Sequence, residues 1–210
     1  MSHRRRTSWI DQFVLREDVN NPFVQVITSA QQVARVAEDR VGLTRAEYDD
    51  VAAARYQARV LEDLARMLDE DVAAHGARAD EALAAAVDPV VRGRVLTGSL
   101  TGAVRASAML VDGCHTLLGL CEKLLVIRRP ASRLTLMAAV ESTRAAASTA
   151  HLTVLVNLPR ITDVALYDEL AGGIDSFDVT LARANRVASA LRSEVRVGFS
   201  VPAQRAVQLR

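Results

Sequence analysis

Apolar residues recur at three- and four-residue intervals along most of this chain, the period of a helix with one buried face. The clearest apolar stripe begins at residue 48 and comprises Tyr48, Val51, Tyr56, Val60, Leu61, Leu64, Leu68 and Val72. A second stripe near the end of the chain comprises Phe177, Leu181, Ala184, Val187, Ala188 and Leu191. This pattern predicts an all-α protein, built as a bundle of long antiparallel helices.

Local signals predict where the helices begin and end. Helix starts are indicated where a side chain can cap the first turn, at Thr44 with Glu47, at Asp88 before Pro89, at Ser132, at Asp163, and at Asp175 or Ser176. Helix ends are indicated by glycine or proline, at Gly42, Gly76, Gly172-Gly173 and Pro159. The stretch from Ala131 to Asp163 is predicted to contain an Ala-rich central helix that stops at Pro159. A short separate helix is predicted over residues 79–87.

The first residues are predicted to form a short amphipathic helix containing Trp9 and Phe13, followed by a turn at Asn20-Asn21-Pro22. Thr28 or Ser29 is expected to cap the next helix. We predict a single helical domain over residues 1–197 and a flexible tail over residues 198–210, because the tail has no hydrophobic periodicity. The basic run at residues 3–6 is interpreted as a solvated terminus.

Gly93, Gly98, Gly102 and Gly113 fall within one predicted helix. Each glycine costs a helix about 1 kcal/mol relative to alanine. Their number therefore predicts that another backbone approaches this face closely, either from a neighbouring helix or from a second subunit. We predict a homodimer.

Charge and composition exclude several classes of function. The chain has 26 basic and 25 acidic residues and a formal net charge of +1, so no broad basic field favours nucleic acid. No apolar run is long enough to span a membrane, and no signal peptide is apparent, so we expect a cytoplasmic protein that binds neither nucleic acid nor membrane.

Cys114 and Cys121 are seven residues apart in one predicted helix, about 10.5 Å along its axis. That distance is too long for a disulfide, so buried reduced thiols are expected. Cys114, His115 and Cys121 do not form a zinc motif, because no second ligand cluster supplies the remaining positions. No metal and no cofactor are predicted.

Three stretches together carry a family resemblance: YDDVAAARYQARVLEDLARMLDEDVAAH, TGAVRASAMLVDGCHTLLGLCEKL and HLTVLVNLPRITD. With the final long helix, they resemble the cyclodeaminase/cyclohydrolase family over roughly residues 20–196. The best local matches are Gly42-Leu43-Thr44 with Tyr48, Asp69-Glu70-Asp71 and Val156-Asn157-Leu158. The resemblance implies an all-α homodimer, folate ring chemistry at a C–N bond, and a folate-type ligand.

Two positions depart from the family pattern. Asn21-Pro22-Phe23-Val24-Gln25 stands where the family has a glycine-rich loop, and Arg133 stands where the family has an acidic residue. Bulky side chains cannot reproduce the close backbone approach that glycines allow. We therefore predict weak or absent folate turnover, with Asn21, Phe23 and Arg133 as substrate-binding candidates.

Two pairs of residues are candidates for acid/base catalysis. Asp71 and His75 are four residues apart on one helix, where a carboxylate can orient an imidazole. His115 and Glu122 share one flank of an apolar stripe, where a pocket wall is expected. Helix capping or a hydrogen bond at the edge of the core would account for either histidine, and capping is the interpretation given to His151.

The functional prediction is a diverged member of this family that acts on a small-molecule substrate. It would make or break a C–N or C–O bond in a small cyclic compound by metal-free acid/base chemistry, as a lyase, cyclase or cyclohydrolase. His75 with Asp71, or His115 with Glu122, would move the proton, and Arg133 would hold an anionic group. The alternative is a catalytically inactive helical dimer that binds a ligand or a partner protein.

Overall fold

A computed structural model of the chain describes residues 21–38, 42–85, 88–127 and 132–205, excluding the side chains of residues 173–175 and 195–205. These residues form five helices and contain no strand. The helices are α1 (Pro22–Val36), α2 (Arg45–Ala84), α3 (Pro89–Val126), α4 (Arg133–Asn157) and α5 (Val164–Arg205), with a 3₁₀ turn at Leu158–Arg160 between α4 and α5. The predicted all-α class is confirmed.

The first four helices pack in a ring, α1 on α2, α2 on α3, α3 on α4 and α4 on α1, and α5 lies across α3 and α4. Short connections between successive long helices make neighbours antiparallel. The main core fills this ring with small and medium side chains, among them Ala58, Leu117 and Leu118. A second, smaller apolar cluster joins α3, the end of α4 and the start of α5, around Val104, Val154 and Leu170.

Several predicted helix starts are confirmed by hydrogen bonds. The Thr44 hydroxyl accepts from the amide of Glu47, and the Glu47 carboxylate accepts from the amide of Thr44, which completes the capping box. Asp88 and Asp163 cap α3 and α5 through their side chains. Ser132 precedes α4 as predicted, but its side chain makes no capping hydrogen bond.

Other boundaries were predicted wrongly. The helix α2 continues through Gly76 to Ala84, so the separate helix over residues 79–87 does not exist, because Gly76 is buried in a helix interface that offsets its poor propensity. The helix α5 likewise continues through Gly172-Gly173, without a new start at residues 175–176. It extends to Arg205, into the stretch predicted as a tail.

The start of α1 also differs from the prediction. Asn21 caps this helix, and Thr28 and Ser29 lie inside it. Gly42 has the predicted left-handed conformation, with φ of 76°, although α1 has already ended at Val36. The predicted helix around Trp9 and the basic run at residues 3–6 lie outside the described residues.

Gly102 and Gly113 of α3 meet side chains rather than another backbone. A methyl group added at Gly102 would lie 2.1 Å from His75 Nε2, and one added at Gly113 would lie 3.8 Å from a Leu61 methyl group. Gly93 and Gly98 face open space. No neighbouring helix of the described chain therefore makes the close backbone approach predicted for this face, and an approach by a second subunit stays a prediction.

Candidate functional site

A pocket of about 130 Å³ opens where α3, α4 and α5 meet. Its apolar wall contains Val154 and Leu170 of the smaller core cluster and Val111 of the main core. The remaining lining residues are Ala108, Met109, Asp112, His151, Glu169 and Ser176. Apolar walls with a few polar groups directed into one space are typical of small-molecule sites.

His151 is the group in this pocket best suited to transfer a proton. Its ring stacks on the ring of Phe177 from α5, with a centroid distance of 3.8 Å and an angle of 4° between the planes. Burial lowers the pKa of His151, and the nearby Asp178 carboxylate opposes this only in part. Within the part of the chain described, neither ring nitrogen hydrogen-bonds to protein, so a neutral imidazole with a fixed plane lines the pocket.

Two carboxylates line the same pocket and make it electronegative. Asp112 comes from α3 and Glu169 from α5. Glu169 also forms an exposed ion pair with Arg105, at 3.4 Å. An exposed pair at this distance contributes little to stability and neutralises only one of the two charges. The pocket therefore favours a ligand with a positively charged or hydrogen-bond-donating group.

Below the pocket, a chain of hydrogen bonds joins α3 to α5. Arg183 donates from Nε to the Glu122 carboxylate at 2.8 Å, and its Nη1 lies 2.8 Å from His115 Nε2. The other ring nitrogen of His115, Nδ1, lies 3.1 Å from the Thr180 hydroxyl oxygen. The Thr180 hydroxyl in turn donates to the main-chain carbonyl of Ser176, a pocket residue, at 2.9 Å.

The structure thus brings His115 and Glu122 together, as the sequence suggested, but through Arg183. Both ring nitrogens of His115 have hydrogen-bond partners, and Glu122 is paired with a guanidinium. A histidine in this arrangement has no ring nitrogen left to face a substrate. Neither His115 nor Glu122 lines the pocket.

The other predicted pair lies at the contact between α2 and α3. His75 Nδ1 lies 3.0 Å from Nη2 of Arg78, and the ring fills the space above Gly102. Burial lowers the pKa of His75, the positive charge of Arg78 lowers it further, and Asp71 opposes both effects. Asp71 is exposed and makes no hydrogen bond to His75 among the described residues.

Arg133 lies away from both histidine clusters, beside a small cavity of about 20 Å³ with mainly apolar walls. Its Nε is 2.9 Å from a Glu194 carboxylate oxygen, although the direction of the N–H does not meet hydrogen-bond geometry. The cavity has little more room than one water molecule requires. Its partner carboxylate gives Arg133 a structural role in this arrangement.

Asn21 and Phe23 occupy structural positions at the start of α1. The Asn21 side chain accepts from the Phe23 amide at 2.9 Å and donates to Asp69 of α2 at 3.2 Å. Phe23 has no exposed surface and belongs to the main core. A ligand can reach Phe23 only if this packing opens, and substrate binding by either residue stays a prediction.

For His151, which lines the pocket, the sequence predicted only a role in capping the end of its helix. It lies six residues before the end of α4, so capping of the helix end does not explain it. Its spacing from Val154 and its position beside the smaller core cluster become informative only once α5 is placed. Arg183 and Thr180 carried no local signal, because their partners are more than 60 residues away.

No three or more His, Cys, Asp or Glu side chains are grouped to hold a metal ion within the described residues. Cys114 and Cys121 are buried free thiols, as predicted. None of the described helices combines the length and apolarity needed to cross a membrane.

Comparison with known proteins identifies the family. The family model described as formiminotransferase-cyclodeaminase matches residues 27–176, and the chain belongs to this family. Among solved structures, formiminotetrahydrofolate cyclodeaminase from Thermotoga maritima has the same fold, with a TM-score of 0.63 and 16% sequence identity. That match covers 93% of this chain and 98% of the Thermotoga chain. The search among curated proteins found no match.

Proposed function

We propose that this chain is an enzyme that makes or breaks a C–N or C–O bond in a small cyclic substrate, with His151 as the acid/base group. The observation that carries the proposal is the placement of a neutral, stacked imidazole in a pocket that also contains Asp112 and Glu169. Membership of the cyclodeaminase family supports this class of chemistry. The proposal moves the proton transfer from the histidines predicted first to His151.

The pocket size supports a small ring as the reacting group. A dry cavity of about 150 Å³ binds one benzene molecule, and this pocket measures about 130 Å³. The two carboxylates favour a ring or side group with a basic nitrogen. A complete folate exceeds this volume, so weak or absent turnover of methenyltetrahydrofolate remains the expected result.

In the proposed reaction, His151 both accepts and returns the transferred proton. His151 removes a proton from the attacking N–H or O–H as the new bond to carbon forms. The resulting imidazolium returns that proton to the nitrogen or oxygen that leaves. A base with a pKa lowered by burial stays neutral near pH 7 and is ready for the first step.

A thermal-shift screen of small cyclic amines, cyclic acids and folates tests ligand binding. A ligand at a hundred times its dissociation constant adds about 2.7 kcal/mol to the stability of the folded state. Asp112→Asn should weaken the binding of a cationic ligand while leaving the melting temperature without ligand nearly unchanged. A screen in which only anionic compounds stabilise the protein would contradict the assignment of the pocket.

For a substrate identified by this screen, His151→Gln should lower the turnover rate by about 10²- to 10⁴-fold, the usual contribution of a general acid or base. His75→Gln is the matched control, since His75 is also a half-buried histidine with a lowered pKa but lies outside the pocket. We expect that control to keep most of its activity. Equal losses in both variants would remove the reason to prefer His151.

A homodimer is part of the proposal, and an exposed apolar patch at the end of α4 supports it. The patch consists of Leu152, Leu155 and Val156, which are 50%, 39% and 64% exposed. The same patch favours the alternative function, an inactive dimer that binds a ligand or a partner.

Light scattering tests the dimer against the monomer mass of 22.7 kDa. Leu152→Glu should shift the protein towards the monomer, because it places a charge in this apolar patch. Val126→Glu is the control, since Val126 is 77% exposed on another helix. A dimeric protein that binds ligands in the screen and turns none of them over would favour the inactive module.

A further inference from the structure

We infer that Arg183 is a positioning residue, which holds the Ser176–Phe177 turn of α5 in place against His151 through His115 and Thr180. The inference rests on the proposed function for its catalytic meaning, because it concerns the histidine assigned there. Arg183 does not line the pocket, so its effect on the pocket is transmitted through the side chains of His115 and Thr180.

The hydrogen bonds define one arrangement of protons. Arginine has only donors, so His115 Nε2 must accept from Arg183 and carries no proton. The ring proton is therefore on Nδ1, where it is donated to the Thr180 oxygen. The Thr180 hydroxyl hydrogen is already donated to the Ser176 carbonyl, so its oxygen is left to accept. The hydrogen bonds at the two ring nitrogens therefore specify the same tautomer of His115.

Arg183 is held in turn by α3. Its Nε donates to Glu122, and its Nη1 also donates to the main-chain carbonyl of His115, at 3.3 Å. The guanidinium lies so close to Gly119 that an added methyl group there would be 3.3 Å from Nη1. Arginine can contact three groups at once because its five N–H donors have a fixed planar geometry.

These contacts matter for His151 because of where they fall on α5. Thr180 is one turn after Ser176 and Phe177, and Phe177 is the residue on which His151 stacks. Before this turn α5 contains Gly172-Gly173, which weaken the helix, and the pair that joins this part of α5 to α3, Arg105–Glu169, is exposed. The network at residues 180 and 183 is therefore a hydrogen-bonded anchor of this wall of the pocket.

Nitrogen-15 NMR of the histidines in the full chain tests the inference without a substrate. In the wild type we expect His115 as a single Nδ1–H tautomer, and His151 with a titration midpoint below the ordinary value of about 6.5. In Arg183→Met, the fixed tautomer should be lost, and the His151 midpoint should move upwards towards that value as the ring becomes hydrated. Circular dichroism checks that the variant remains folded.

Arg192→Met is the matched control. Arg192 is also an arginine of α5, and it joins Glu141 of α4 in an exposed ion pair remote from the pocket. This variant should leave both NMR signals as in the wild type. If Arg183→Met behaves like Arg192→Met, the network is an ordinary surface contact and the inference is wrong.

A second pair of variants decides the question if Arg183→Met does not fold. Thr180→Val removes the hydroxyl and keeps the side-chain shape, so it should raise the His151 midpoint, whereas Thr180→Ser should restore the wild-type midpoint. No change in Thr180→Val would overturn the inference. If His151→Gln proves as active as the wild type while these NMR shifts occur, the proposed function fails and the positioning role of Arg183 stands.

Discussion

Gly102 of α3 has no room for a side chain while His75 of α2 keeps its place. A methyl group there would overlap the imidazole, at 2.1 Å from Nε2. We expect Gly102→Ala to displace the His75 ring towards solvent, which cancels the gain of about 1 kcal/mol that alanine brings to a helix. Urea unfolding should therefore show little stabilisation, and NMR should show a raised His75 pKa.

Two further variants isolate the cause. Gly98→Ala, one turn earlier on the same helix, adds its methyl group to open space and should stabilise the protein by about 1 kcal/mol. Gly102→Ala in a His75→Ala background should recover a similar gain. Failure to recover it would mean that the α3 backbone, and not His75, resists a side chain at this position.

At the scale of a helix, the first turn of α2 depends on one reciprocal pair of hydrogen bonds. Thr44→Ala removes the hydroxyl that accepts from the Glu47 amide and should destabilise the protein by about 1 kcal/mol. Ser132→Ala is the natural comparison, because Ser132 precedes α4 without a side-chain capping bond. Denaturant unfolding should give Ser132→Ala a free energy of unfolding close to that of the wild type. Equal losses in the two variants would show that the capping hydrogen bond is not the cause.

The same contrast explains how much of the fold the sequence could predict. Helix starts at Thr44, Asp88 and Asp163 were predictable, because each depends on a side chain and amides two or three residues away. Stops at Gly76 and Gly172 were not, because helix contacts elsewhere offset the local preference of glycine. Periodicity therefore predicted the class of fold and the main helices, and overestimated the number of breaks.

The candidate site was less predictable than the helices. The sequence placed His115 and Glu122 on one flank correctly, but Arg183, which joins them, is more than 60 residues away from each. His151 could be recognised only after α5 brought Phe177 against its ring. Sites assembled from three helices depend on tertiary packing, which no local pattern encodes.

For the whole molecule, acid should reduce stability in two stages. Burial is the main cause of the lowered pKa values of His75 and His151, so the folded state binds fewer protons than the unfolded state below the ordinary pKa of about 6.5. The free energy of unfolding should therefore fall as the pH drops through 6.5 towards the lowered values. Urea titrations at successive pH values measure this, and His75→Gln should flatten the first stage.

The second stage belongs to carboxylates. Hydrogen bonds from Arg66 and Gln31 lower the pKa of Glu62, and for Glu141 the bonds from Arg192 and Arg144 outweigh the opposing effect of burial. Their stabilisation is present above the ordinary pKa of about 4.3 and is lost as the pH falls through the lowered values. A protein whose stability is constant from pH 7 to pH 5 would contradict the first stage and leave only this one.

The two buried cysteines of α3 allow opening of the core to be measured by thiol labelling. Both thiols are fully buried, and burial raises the pKa of Cys121 to about 12 and that of Cys114 further still. Since the thiolate is the form that reacts with alkylating reagents, neither sulfur can be labelled in the closed protein. Each labelling event therefore records a moment at which α3 has separated from its neighbours, and the labelling rate under native conditions reports how often the bundle opens.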